Sequence, residues 1–347
     1  MRSNKFLIGG VLLFFAAASA SDQPGTFVHK KKYVMGTVFE IVAYDSSVAR
    51  ASLAVDRALD EIVRLDAVMS NFKQDSELSR LNRTAKFRAQ TVSTDLYAVI
   101  EQALEYSRIS GGSFDISVGP LVDLWKAAMV SNTAPSAAQE AQARACVGYE
   151  HIRLTAPNQV MFESSCLRLD LGGIGKGYAV DRAANILRTS GINAALIDAG
   201  GSTIYAMGSP PGQAAWLVHM RDPSRQIDPT VMLSDQSIST SEQSPPSLLA
   251  SSSAGHIIDP QTGVPLKTRF AVSVIAKTGL ASDALSTTLL LAGPHAGQRM
   301  VEKIPGSAAI WIASDGESHT VSMGPRILVR GPLHSRWQSR GSGTWGL

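Results

Sequence analysis

The run Asp170-Leu171-Gly172-Gly173-Ile174-Gly175-Lys176-Gly177-Tyr178-Ala179 carries the residue types best suited to chemistry in this chain. It reads as an apolar strand that ends in a carboxylate, then a glycine-rich turn, then a helix with Lys176 in its first turn. Glycines let backbone N–H groups come close to an anion, and a helix N-terminus adds partial positive charge. That combination suits a phosphate or diphosphate. It fits neither the Gly-x-x-x-x-Gly-Lys-Ser/Thr pattern nor Gly-x-Gly-x-x-Gly. Tight strand–helix packing asks for the same glycines, so the segment alone does not choose between the two.

Asp283 and Thr287 stand four apart on an expected helix and therefore share a face. A carboxylate and a hydroxyl are hard oxygen donors of the kind magnesium takes. A helix cap and a hydroxyl bonded to its own backbone explain the same pair. His256 precedes the turn-forming Asp259-Pro260-Gln261-Thr262-Gly263 and is a candidate general base or a structural histidine. Three further segments stand out by composition: Met35-Gly36-Thr37, Met69-Ser70-Asn71-Phe72 with the following Asp75 to Asn82, and Gly111-Gly112-Ser113-Phe114-Asp115 running to a proline-terminated turn at Pro120.

The elements that must position these residues alternate without a strict βαβ rhythm, which argues for α+β over a doubly wound parallel sheet. A strand is expected over 33–44. A helix is expected over 47–70, since Val55, Leu59, Ile62, Leu65 and Met69 recur at spacings of three and four. Asp75 and Ser76 cap a short helix to Leu81, and Ser93 caps another over 94–110. Residues 131–145 read as a surface helix or loop, and strands follow over 151–155 and 159–163. The helix after the glycine turn runs to about Thr189. Strands are then expected over 194–199, 216–220, 231–233, 271–276, 308–313 and 319–323, with a helix over 280–291 that Gly293 stops. Residues 244–255 form a Ser/Pro-rich loop.

The 347 residues are 44% hydrophobic and 18% charged, enough for a substantial core. Arg2 and Lys5, the apolar run 6–17 and Ala18-Ser19-Ala20 read as a secretory signal peptide over 1–20. No cysteine stands directly after that site, which argues against a lipoprotein. Losing Arg2 and Lys5 lowers the formal charge from +3 to +1, a balance that does not suggest nucleic acid. The reading is of an exported, periplasmic protein with no stable membrane span after cleavage. Its functional domain covers 21–323, and a weakly ordered tail of 324–347 carries four arginines and no acid. Cys146 and Cys166 flank the expected hairpin 151–163 and are either a disulfide or two buried thiols.

Taken in order, these motifs resemble the ApbE family of FAD:protein FMN transferases, over about residues 33 to 315. The resemblance implies an α+β, T-fold-like architecture of mixed sheets and flanking helices, with a flavin cleft between two halves. It implies an exported magnesium-dependent enzyme that takes FAD, attaches FMN through a phosphoester to a Ser or Thr of a target, and releases AMP. The target would be an acceptor flavoprotein of a membrane electron-transfer complex. By position, Met35, Phe72, Ser113, Phe114, Asp115, Asp170, Lys176 and Ile257 match flavin-contacting residues. The carbonyl of Gly173 with Asp283 and Thr287 matches the metal site, and His256 matches a histidine that assists the acceptor hydroxyl.

The chain departs from the family pattern in three places. Phe72 stands where tyrosine is usual, Gly255-His256 replaces a His-His pair, and Thr240-Ser241-Glu242-Gln243-Ser244 replaces Thr-Ser-Gly-Asp-Tyr. Glu242 is therefore expected to bring negative charge toward a diphosphate. That departure keeps two rival readings in view: a non-catalytic flavin carrier or assembly protein, and a hydrolase that cuts FAD to FMN and AMP.

Overall fold

A computed structural model describes residues 26–86, 88–243 and 257–330. In chain order these form β1 (Phe27–Val34), β2 (Thr37–Tyr44), α1 (Val48–Met69), α2 (Glu77–Thr84), β3 (Gln90–Thr91), α3 (Thr94–Ile109), α4 (Gly119–Ser131), α5 (Ala137–Arg144), β4 (Ile152–Thr155) and β5 (Gln159–Phe162). The second half comprises α6 (Gly175–Thr189), β6 (Ala194–Ala199), β7 (Thr203–Met207), β8 (Trp216–His219), β9 (Asp228–Leu233), β10 (Gln236–Glu242), β11 (Phe270–Ala276), α7 (Gly279–Val301), β12 (Ala308–Ala313), β13 (Ser318–Ser322) and β14 (Ile327–Arg330).

The architecture is α+β. An eight-stranded antiparallel sheet has the order β1-β2-β6-β7-β10-β11-β12-β13. Side chains alternate between its faces, and both faces are covered. Ile41, Ala43, Ile197 and Ala199 join the core under α1 and α6, and Val272, Val274 and Trp311 the one under α7. Between them, Val42, Leu196, Ile275 and Ile310 point the other way and pack on Trp216, Val218 and Val231 of a small sheet, β14-β9-β8. Burial on both sides explains why β12 reads as an unbroken apolar run and β6 as one broken only by Asp198.

Residues 70–170 add helices and a second small sheet, β3-β5-β4. Leu78, Ile100, Ile152 and Phe162 share one core with Phe39 and Ile62, so this half is not independent of the large sheet.

The helix signals hold. The hydroxyls of Ser47, Ser76 and Ser93 accept from Arg50, Ser79 and Leu96 N–H and cap α1, α2 and α3. Other expectations are corrected. The strand over 33–44 is a hairpin, with Met35 (φ 52°) and Gly36 (φ 74°) at its two-residue turn. Both turn residues lie in the left-handed region, the pattern that matches strand twist. Pro120 opens α4 rather than closing a turn, because proline's fixed φ suits a first helical turn. Residues 167–170 are extended with one isolated bridge, Val118 to Arg168, rather than a strand. The helix expected to stop at Gly293 kinks there (φ 73°) and continues to Val301. Ile327–Arg330 pairs with β9, so the fold reaches past 324. Cys146 and Cys166 form a disulfide across the β4–β5 hairpin. The signal segment, residues 244–256 with His256, and 331–347 lie outside the described residues.

Candidate active site

The site begins with how closely α6 and α7 approach. A Cβ on Gly177 would run into the Gly279 carbonyl and come within 2.7 Å of Asp283 Cβ; one on Gly279 would lie 2.6 Å from the Gly177 oxygen. At this contact each helix caps the other. Gly177 N donates to Asp283 Oδ2 at 2.8 Å, while Gly279 N and Leu280 N donate to Asp181 Oδ1 and Oδ2 at 2.6 and 2.9 Å. Two carboxylates, Asp283 buried and Asp181 half-buried, thus sit at two helix N-termini, where the backbone favours negative charge.

Burial pushes the Asp181 carboxyl up to about 6 despite its two backbone donors. Burial also raises Asp283, which is 5% exposed, while the nearby Lys176 ammonium pulls it back toward the charged form.

The glycine turn lies against the next turn of α7. Its first link is local: Asp170 Oδ1 accepts from Gly172 N at 2.8 Å. A Cβ on Gly173 would stand 3.1 Å from the Phe114 ring and 3.2 Å from Thr287 Oγ1, so the turn is wedged between the helical half and α7. Lys176, half-buried on the first turn of α6, reaches back to Gly172 O at 3.5 Å. Gly173, Lys176, Phe114, Asp283 and Thr287 therefore meet in one place, with Asp170 at its edge.

Behind the α7 residues lies a set of hydroxyls that the sequence reading missed. Ser237, Ser239 and Ser241 project from one face of β10. Ser239 Oγ donates to Thr203 Oγ1 at 3.0 Å and is 2.7 Å from Ser282 Oγ. Ser241 Oγ is 2.8 Å from Ser286 Oγ and 3.3 Å from Thr287 Oγ1. The signal was available: serine at every second position of Ser237-Ile238-Ser239-Thr240-Ser241, facing Ser282 and Ser286 at helical spacing.

The same alternation settles Glu242. Ile238, Thr240 and Glu242 point to the face opposite Ser241; Ile238 joins the core under the small sheet, and Glu242 lies 3.6 Å from the Arg221 guanidinium. The expectation that Glu242 carries negative charge toward the glycine turn is overturned by strand period.

The remaining candidates are spread around this centre. Phe72 is 83% exposed, with Lys126 Nζ of α4 4.8 Å over its ring. Its loop is tied to the glycine segment through Asn82, which exchanges bonds with the Leu169 backbone at 2.7 and 3.0 Å and reaches Asn71 at 3.4 Å. Asp115 is buried, and its oxygens accept from Ser117 N and Tyr149 N, so it fastens the 113–117 loop. Ser113 is half-buried in that loop. Met35 sits on the β1–β2 turn, whose Thr37 hydroxyl packs where a Cβ on Gly200 would fall. The Ile257 backbone is clamped by Gln243, which accepts from Ile257 N at 3.0 Å and donates to the carbonyls of Ile257 (3.1 Å) and Leu266 (2.9 Å).

Among the described residues, no group of three His, Cys, Asp or Glu side chains is placed to hold a metal. One carboxylate, one hydroxyl and one carbonyl remain a fitting donor set for a hard cation that takes its other ligands from phosphate and water. A buried carboxylate with raised pKa is itself a place where a cation would relieve desolvation cost.

The ApbE family model matches residues 35–311. The chain belongs to the ApbE family. Its relatives include the "FAD:protein FMN transferase" of Klebsiella pneumoniae, 30% identical over 303 residues that cover 84% of this chain and 86% of that one. The protein of the same name from Treponema pallidum is 30% identical over 309 residues, 82% and 84% of the two chains. Among solved structures, the flavin transferase ApbE from Vibrio cholerae superposes with a TM-score of 0.75 at 28% identity, covering 86% of this chain and 98% of that one.

Proposed function

We propose that this chain is an exported FAD:protein FMN transferase that uses magnesium, moves FMN from FAD onto a Ser or Thr hydroxyl of another protein, and releases AMP. The observation that carries the reading is the glycine turn and Lys176 at the N-terminus of α6, set against Asp283 and Thr287 of α7.

The chemistry asks for little covalent work from the protein. The acceptor hydroxyl attacks the FMN phosphorus, the bond to the AMP phosphate breaks, and the hydroxyl proton passes to a base, for which His256 is the candidate. Positioning and charge neutralisation then decide the rate. The backbone of Gly172 and Gly173, the first turn of α6 and Lys176 would hold the diphosphate oxygens. Asp283, Thr287 and the Gly173 carbonyl would hold magnesium, which supplies charge neutralisation at the transferring phosphate. Phe72 offers an exposed ring for the isoalloxazine.

With Glu242 paired to Arg221 on the other face, the argument it lent to a non-catalytic carrier loses its ground. Export is supported by the Cys146–Cys166 disulfide, which suits an oxidising compartment such as the periplasm. Among the described residues no helix is long and apolar enough to cross a membrane. The acceptor we propose is a separate flavoprotein of a membrane electron-transfer complex.

The test uses mature protein, FAD, magnesium and an acceptor peptide, followed by peptide mass and AMP release. A peptide that gains the FMN mass with one AMP per modification supports transfer. AMP without modified peptide points to hydrolysis, and neither product with FAD bound points to a carrier.

A further inference from the structure

The buried hydroxyls behind α7 obey a proton count that bears on the candidate cation site. Each hydroxyl has one proton to give. Ser286 Oγ gives its proton to the Asp283 carbonyl at 2.9 Å. In the 2.8 Å contact between Ser241 and Ser286 the donor must therefore be Ser241. With its proton spent, Ser241 can only accept from Thr287, 3.3 Å away. The Thr287 proton is thus turned into the protein and its lone pairs away from Ser241. Ser286 is fully buried, which shields its end of this chain of bonds from exchange with water.

We propose that Ser241 is a positioning residue for a hard divalent cation. Ser241 takes the Thr287 proton so that the Thr287 oxygen presents lone pairs to the ion. This rests on the reading that Asp283 and Thr287 are cation ligands. Partners that orient metal ligands in this way are typically worth about 10–100-fold in metal affinity.

The experiment is Mn2+ binding, followed by electron paramagnetic resonance, to the full mature chain with saturating FAD and no acceptor. Parent, Ser241→Ala, Ser241→Thr and Asp283→Asn are compared, with a thermal melt and an FAD titration without metal for each. Ser241→Ala is expected to bind Mn2+ about 10–100-fold more weakly. FAD affinity without metal should stay within about twofold, and Ser241→Thr should recover the parent value. Mn2+ binding by Ser241→Ala equal to parent, while Asp283→Asn loses it, overturns the positioning role and leaves the ligand reading standing. Equal binding by parent and Asp283→Asn overturns the ligand reading and this inference together.

Discussion

β10 faces two different environments, and the contrast shows how the large sheet divides its work. On one side Ser237, Ser239 and Ser241 meet the hydroxyls of α7, and every second residue makes directional bonds. On the other side Ile238 enters an apolar layer with Ile310, Trp216 and Val231, held by area alone. Hydrogen-bonded hydroxyls contribute little net stability but fix orientation, whereas buried apolar surface contributes stability with little orientation. The face that carries the candidate ligands is the costly polar one, and the face that stabilises it carries no chemistry.

Substitutions can break that division. The largest effect is expected at Asp283→Asn, which keeps an oxygen for Gly177 N–H but removes the charge. Transfer should fall about 1000-fold, in line with the several kcal/mol a metal ion supplies, while the melting temperature holds. Steady-state kinetics beside calorimetry checks this, and near-parent turnover would end the metal assignment.

The mirror case is Ile310→Ala on the apolar side. It should cost about 2–5 kcal/mol in denaturant titration and leave kcat per folded molecule unchanged.

Gly177→Ala forces α6 and α7 apart and should cost about 1–3 kcal/mol. Because Gly177 N also holds Asp283, this variant should lose activity as well as stability; losing only stability would uncouple the seam from the site.

Asp198 sharpens the comparison through pH. It lies on the apolar-side face of β6, directly across from Glu40, and burial pushes it from 3.8 up to about 6. Between those values the native chain binds a proton that the unfolded chain does not. This group's contribution is therefore fully present below pH 3.8 and lost as pH rises through 6. Asp198→Asn, which can still accept from Gly201 N, should flatten the pH dependence of stability in that window and gain about 3 kcal/mol at pH 7. An unchanged pH profile in urea titrations would contradict the assignment.

The smallest effect belongs to Glu242→Gly. Its partner Arg221 is half exposed, so the stability change should stay under about 1 kcal/mol and FAD affinity should barely move. A large change in FAD affinity would mean the two faces of β10 are not separate.

Much of this was legible in sequence where one local force dominates. Ser47, Ser76 and Ser93 announce their helices because a cap is a contact within four residues. The apolar runs of β6 and β12 announce burial. What stayed hidden depends on partners distant in sequence. β10 is absent from the expected strands, because its serines become buriable only when α7 supplies hydroxyl partners for Ser237, Ser239 and Ser241. The hairpin at Met35-Gly36 lacks the Asn-Gly or Asp-Gly that usually marks such a turn. Asp181 drew no notice, since only the fold brings it to the start of α7. The candidate ligands Asp283 and Thr287 were marked by motif, and the hydroxyls that orient Thr287 were not.

The Gln243 clamp has a consequence for how such an enzyme can vary. By bonding Ile257 and Leu266, one amide fixes the two ends of 244–256 side by side. Once the ends of a segment are fixed together, doubling its length costs only about 0.6 kcal/mol of closure entropy. His256 apart, length and composition between Gln243 and Ile257 are then nearly free to drift while α7 and the glycine turn stay in register. A lineage could retune this segment for a new partner protein without reopening the problem of folding.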